Sequence, residues 1–193
     1  MKNIIIAGPP GSGKGTQAVR LADTLQLLHI STGDVLRDAI RRKTPLGIIA
    51  AERIDHGNFV SDEIALSIIR EYIDNDTRQV NGFIFDGFPR TLNQAIIFDA
   101  MLAERKQSLH AFILLYVSEE ITIGRMLHRA SVMNRPDDAD ISIIKHRIKV
   151  YHELTEPIIQ YYTEKGLLIR INGEKDELLV LQTITEKLKR IGL

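Results

Sequence analysis

The apolar segment Asn3-Ile4-Ile5-Ile6-Ala7 runs straight into Gly8-Pro9-Pro10-Gly11-Ser12-Gly13-Lys14-Gly15-Thr16-Gln17, and no other feature of the 193 residues restricts the fold so strongly. A β-branched run, a glycine-rich turn and then a helical pattern make a strand–loop–helix unit. Its glycines let backbone N–H groups turn inward, and the helix dipole adds partial positive charge, so the unit is an anion site. Gly8, Gly11 and Gly13 supply the turn, and Lys14 is placed to reach the terminal phosphates of a bound chain. The plainer reading, a flexible turn before an amphipathic helix, is outweighed by the strand before the loop and the helix after it.

The rest of the chain alternates in the same way. Apolar runs recur at 3–7, 27–31, 82–86, 110–117 and 167–171, with longer helically spaced stretches between them. The expected class is therefore α/β, a three-layer P-loop fold around a parallel sheet of about five strands. One domain over 1–193 suits this length. Composition narrows function by exclusion. The chain is 44% hydrophobic and 26% charged, and its 25 Lys plus Arg balance 25 Asp plus Glu, which gives no footprint for nucleic acid or a membrane surface. It contains no cysteine, so thiolate metal sites and cysteine nucleophiles are ruled out. No run has the length of a signal-peptide core or a membrane span, and the expectation is a soluble, cytoplasmic protein.

Helix starts are legible at Ser118-Glu119-Glu120 and at Thr91-Leu92-Asn93-Gln94, the latter a capping-box pattern. Ile141, Ile144, Ile148, Tyr151 and Ile158 form an apolar stripe that reads as core. Two stretches interrupt the alternation. Residues 33–75 hold several helical segments, broken by Pro45 and by His56-Gly57-Asn58, and 131–140 reads as an exposed loop.

Further blocks carry charge suited to phosphates. Gly82-Phe83-Ile84-Phe85-Asp86 ends a strand in an acid, placed to hold Mg²⁺ through its water shell. The continuation Gly87-Phe88-Pro89-Arg90 adds a guanidinium that can grip a phosphate bidentately. Ile30-Ser31-Thr32-Gly33-Asp34-Val35-Leu36-Arg37 is alone only a capping pattern, but beside the other two it reads as a second anion site. Arg125, Arg129, Arg135 and Arg147 follow, and on spacing alone they fit a solvated face as well as a phosphate clamp.

Taken together, GPPGSGKGTQ, ISTGD and DGFPR, in this order and spacing, resemble the adenylate kinase family, and the likeness runs through almost the whole chain. The shift of the hydroxyl from position 15 to Thr16 is part of that likeness. It implies a nucleoside monophosphate kinase that reversibly transfers the γ-phosphate of Mg·ATP to AMP, giving two ADP, in a monomer. Gly11, Ser12, Gly13, Lys14, Gly15 and Thr16 would bind the ATP phosphates, with Arg129 beside them and Lys175 near the ATP base. Thr32, Arg37, Asn58, Phe59, Val60, Gly87, Arg90, Gln94, Arg135 and Arg147 would form the AMP site. Lys14, Arg90, Arg129, Arg135 and Arg147 would stabilise the transferring group, and Asp86 would hold Mg²⁺. The family's moving parts would be an acceptor-binding segment at 31–60 and a short lid at 128–140, where no structural zinc is expected because the chain has no cysteine and only His128 lies nearby. Uridylate and cytidylate kinases are the nearest alternative, but they resemble this chain with alanine in place of Thr32. A non-catalytic nucleotide-binding module or an ATPase would leave DGFPR and ISTGD without a role.

Overall fold

Within each strand, alternate side chains enter opposite layers, and nearly all of them are buried. In the computed structural model, which describes residues 1–74, 80–133 and 138–193, one parallel sheet forms from β1 (Lys2–Ala7), β2 (Leu28–Ser31), β3 (Gly82–Asp86), β4 (Ala111–Tyr116) and β5 (Leu168–Asn172). The strand order is β2-β3-β1-β4-β5. Ile4, Ile6, Ile84, Ile113 and Leu115 pack against Ala18 and Leu21 of α1 (Lys14–Leu25) and Val180, Ile184 and Leu188 of α9 (Glu177–Arg190). Ile5, Phe83, Phe85, Phe112 and Leu114 face the other way. They meet Phe98 and Leu102 of α5 (Leu92–Glu104), Ile158 and Tyr162 of α8 (Glu156–Glu164), and Ile69 of α4 (Asp62–Asp74). This is the expected three-layer α/β fold, and each strand lies within a residue or so of its sequence-read position.

The site follows from the strand order. β1 and β3 are neighbours in register, Ile6 opposite Asp86, so their carboxyl ends finish together. β1 leads into α1 on one face and β3 into α5 on the other, and the diverging connections open a crevice where ligands bind in open parallel sheets.

Between β2 and β3 the chain inserts α2 (Thr32–Arg41), α3 (Pro45–Ile54) and α4. Ser31 caps α2 by accepting from Asp34 N–H, and Thr44 caps α3 from Gly47 N–H with Pro45 in its first turn, which is why the pattern breaks there. Leu36, Ala50 and Ile68 give the insertion a small core of its own.

Beyond β4 come α6 (Glu119–Met133) and α7 (Ile141–Val150), then a π-helical turn, Tyr151–Thr155, that joins α7 to α8. Two expectations are corrected here. Ser131–Met133 continue α6 instead of opening a loop, and the residues described after it, 138–140, form a turn that ends with Asp140 capping α7. Of the stripe, Ile144, Ile148, Tyr151 and Ile158 are buried, whereas Ile141 is 50% exposed. As the first helical residue its side chain leans back beyond the cluster of Met126, Ile144 and Ile148. Among the described residues, no helix is long and apolar enough to cross a membrane, and no three His, Cys, Asp or Glu converge as metal ligands.

Candidate active site

The first turn of α1 is left open to an anion by its own sequence. Its N-cap, Gly13, stands at φ 85°, supplies no side-chain cap, and no acid occupies the turn. The orphan N–H groups and the positive end of the helix dipole thus face the crevice without a protein partner. Ser12 beside them is buried, with an unpartnered Oγ. Gly15 explains the departure from the common P-loop pattern: a Cβ there would sit 3.3 Å from Asp86 Oδ2. Glycine lets the carboxylate at the end of β3 approach the start of α1, and the hydroxyl moves on to Thr16.

Lys14 folds back over the loop, and its Nζ donates to the Pro9 carbonyl at 3.2 Å. Burial holds its pKa down to about 8, opposed by Asp86 and assisted by Arg90, Arg129 and Arg147. Arg90 is likewise held down to about 10, by burial first and then by Arg147 and Arg37, with Asp86 opposing. Like charges drawn this close raise one another's cost of ionisation. Among the described residues, Lys14, Arg37, Arg90, Arg129 and Arg147 line one cavity, against the carboxylates of Asp34 and Asp86. Such a cluster is satisfied by a polyanion.

Arg90 is fixed on three sides. Its Nε donates to the Gly87 carbonyl at 2.6 Å, its guanidinium lies 4.7 Å over the Phe59 ring, and its own carbonyl accepts from Thr155 Oγ1 at 3.0 Å. Thr32 Oγ1 donates to the same Gly87 carbonyl at 2.9 Å. Arg37 pairs with Asp34 one turn earlier on α2. Arg129 of α6 and Arg147 of α7 are bridged by Asp138, whose two carboxylate oxygens each accept at 2.6 Å.

The sequence-predicted residues other than Arg135 can now be placed. Thr32, Arg37, Asn58, Phe59, Val60, Gly87, Arg90, Gln94 and Arg147 line an inner cavity continuous with the cationic one through shared Arg37, Phe59, Arg90 and Arg147. Gly11, Ser12, Gly13, Thr16, Arg129 and Lys175 line a second opening on the far side of the loop, and Gly15 and Asp86 lie at the floor between them. Arg135 lies outside the described residues. Arg125, singled out with Arg129 for its helical spacing, donates to the Gly173 carbonyl at 2.9 Å and so ties α6 to the turn that carries Lys175.

Several contacts around these cavities escaped sequence reading. Asp138 is fully buried yet reads as one more acid in a polar stretch. Phe59 contributes an aromatic ring as well as a backbone. Tyr151 and Thr155 line the cationic cavity from the π-turn, and His29 brings Nε2 to 3.8 Å from Asp86 Oδ2. None of these has a local signal, because each contact depends on how separate elements pack together.

Known proteins place this architecture. The "Adenylate kinase" family profile matches residues 6–167. An adenylate kinase of Micrococcus luteus is 43% identical over 188 residues, spanning 97% of this chain and 89% of its own. That of Xanthomonas campestris pv. campestris is 42% identical over 189 residues, 98% of this chain and 96% of its own. A third, from Pseudarthrobacter chlorophenolicus, is 39% identical over 173 residues, or 90% and 89%. With one family covering the glycine-rich loop, the insertion between β2 and β3 and the arginine helices alike, the chain belongs to the adenylate kinase family.

Proposed function

We propose that this enzyme catalyses reversible transfer of the γ-phosphate of Mg·ATP to AMP, yielding two ADP. The carrying observation is the convergence of Lys14, Arg37, Arg90, Arg129 and Arg147 on one cavity, with one further recess at Thr32, Asn58 and Gln94 and another beside Ser12, Thr16 and Lys175. A simple ATP binder or an ATPase has no use for the inner recess. The acceptor is AMP, supported by Thr32 and Gln94 in that recess.

In this reading the uncapped start of α1 holds the donor's phosphate chain. Arg37 and Arg90 hold the acceptor phosphate, and Phe59 keeps the Arg90 guanidinium flat against it. Lys14 follows the transferring group, while Arg129 and Arg147 take up charge on its equatorial oxygens. An acceptor phosphate oxygen attacks the γ-phosphorus in line as the bond to the β-bridging oxygen breaks. That oxygen is already anionic, so no general base is required, and positioning supplies much of the barrier reduction. A Mg²⁺ ion held beside the loop would supply positive charge against that developing on the phosphates. Asp86 fits it: a lone hard carboxylate beside the loop, across from a glycine that leaves it room, suits an ion held through its waters.

Closure of the 31–60 segment and of a short lid at 128–140 over the substrates excludes water as the acceptor. The family resemblance makes the reading that of a monomer. Its substrates are small nucleotides of the cytoplasm, with no call for nucleic acid or membrane. The test is ADP formation from Mg·ATP with AMP, UMP, CMP, GMP or water as acceptor. AMP is expected to be strongly preferred. Preference for UMP or CMP would overturn the acceptor assignment, and ADP formed only with water would overturn the kinase reading.

A further inference from the structure

Gln94 is 1% exposed and lines the inner cavity, and its carboxamide has two hydrogens and two lone pairs to place. Oε1 accepts from the backbone N–H of Arg90 at 2.7 Å, and Nε2 donates to Asp62 Oδ1 at 2.8 Å. A backbone N–H can only donate, and a carboxylate receiving hydrogen bonds can only accept. The two partners therefore fix the amide in one sense, since the flipped amide would set donor against donor and acceptor against acceptor. One N–H and one lone pair are left for the cavity.

Asp62 does not line that cavity, but it is itself rigidly held. Thr91 Oγ1 donates to its Oδ1 at 3.0 Å and Asn93 Nδ2 to its Oδ2 at 2.8 Å. Asp62 opens α4 while Thr91 caps α5, so one carboxylate gathers the starts of two helices behind the amide.

We propose that Asp62 is a positioning residue that sets base specificity at the acceptor site by dictating which way Gln94 presents its donor and its acceptor. The inference rests on the reading of the inner cavity as an AMP site. An N–H beside a lone pair complements a base edge that carries an acceptor beside a donor, as the N1 and 6-amino group of adenine do. Hypoxanthine carries the reverse, an N1–H beside a carbonyl. A site built to pair with a polar edge rejects one that leaves its buried groups unpaired. Without Asp62 the amide keeps only the Arg90 N–H and can turn, and the two edges become harder to tell apart.

The test measures transfer from Mg·ATP to AMP and to inosine monophosphate by the wild type and by Asp62→Ala, Asp62→Asn and Asn93→Ala. Asp62→Ala is expected to raise KM for AMP about tenfold and to lower the AMP-to-inosine-monophosphate ratio of kcat/KM by about tenfold. KM for ATP stays at the wild-type value. Asp62→Asn, which keeps an oxygen for the Gln94 N–H, restores most of the ratio, and Asn93→Ala, which removes a bond to Asp62 and none to Gln94, stays near wild type. Asp62→Ser, too short to reach the amide, replaces the alanine variant if that one does not fold. A folded Ala or Ser variant with the wild-type ratio, equal losses toward ATP and AMP, or failure of both variants to fold would overturn the proposal. A wild type that does not discriminate between the two acceptors would instead overturn the AMP reading on which it rests.

Discussion

Lys14 illustrates what a phosphate site asks of one residue. Its ammonium sits among three arginines and is held down to about pH 8, far below its ordinary 10.5. Between those values the unfolded chain keeps a proton that the nucleotide-free fold has shed, so stability should rise with pH across that window. Lys14→Met should abolish this rise and leave the melting temperature at pH 7 unchanged or higher, while turnover falls roughly 10²–10³-fold, as for the loss of one transition-state donor. A large drop in melting temperature would show that Lys14 supports the loop instead of the chemistry. Phe59 is the milder case. Phe59→Ala removes a cation–π contact worth about 0.5–2 kcal/mol and should raise KM for AMP with little change for ATP; equal changes in both would assign the ring a packing role. The sequence made the role of the first residue legible and named the second without its ring contact. Lys14 belongs to a contiguous motif whose glycines announce the backbone they need. The stacking of Arg90 on Phe59 depends on an insertion folding back across 31 positions, which no local pattern encodes.

At the scale of elements, strands were easy to read because a doubly covered parallel sheet demands unbroken apolar runs, and caps were easy because Ser31 and Thr91 each satisfy a backbone N–H within three residues. Pairing between helices was not. Asp138 joins α6 to α7 through Arg129 and Arg147, nine residues away on either side. The clamp holds two cations at the wall of the cavity, where the proposed mechanism uses them on phosphate. Removing a buried shared partner is costly, but the two arginines are 29% and 20% exposed at their side chains, which softens the loss. Asp138→Ala should therefore lower the stability of the nucleotide-free enzyme by about 1–3 kcal/mol. Saturating Mg·ATP should shrink that deficit, because phosphate oxygens offer the arginines a replacement. Thermal melts with and without nucleotide check this, and a deficit that Mg·ATP leaves unchanged would mean that the clamp serves the fold alone. The same limit explains the late helix. Its apolar stripe was readable, while the π-turn at Tyr151–Thr155 answers to Arg90, 65 residues earlier in the chain.

The whole molecule has a formal net charge of zero, yet Lys14, Arg37, Arg90, Arg129 and Arg147 crowd one crevice. The fold bears that repulsion at all times and is relieved of it only when an anion binds. Ligand binding and global stability are then strongly linked. At about 100 times its dissociation constant a ligand adds about 2.7 kcal/mol. For a chain of this size that raises the melting temperature by roughly 5–10 °C. ATP and ADP should reach this range at low ionic strength, and the shift should shrink as salt screens the partly exposed arginines. Adenosine, which offers the base without phosphates, should move the melting temperature by far less at equal concentration. The comparison separates two ways in which a nucleotide site can be built. If adenosine stabilised as well as ATP, base recognition would hold the ligand and the cation cluster would be incidental. If only the phosphorylated ligands stabilise, and Lys14→Met gains less from ATP than the wild type does, the crevice is organised around the phosphate chain.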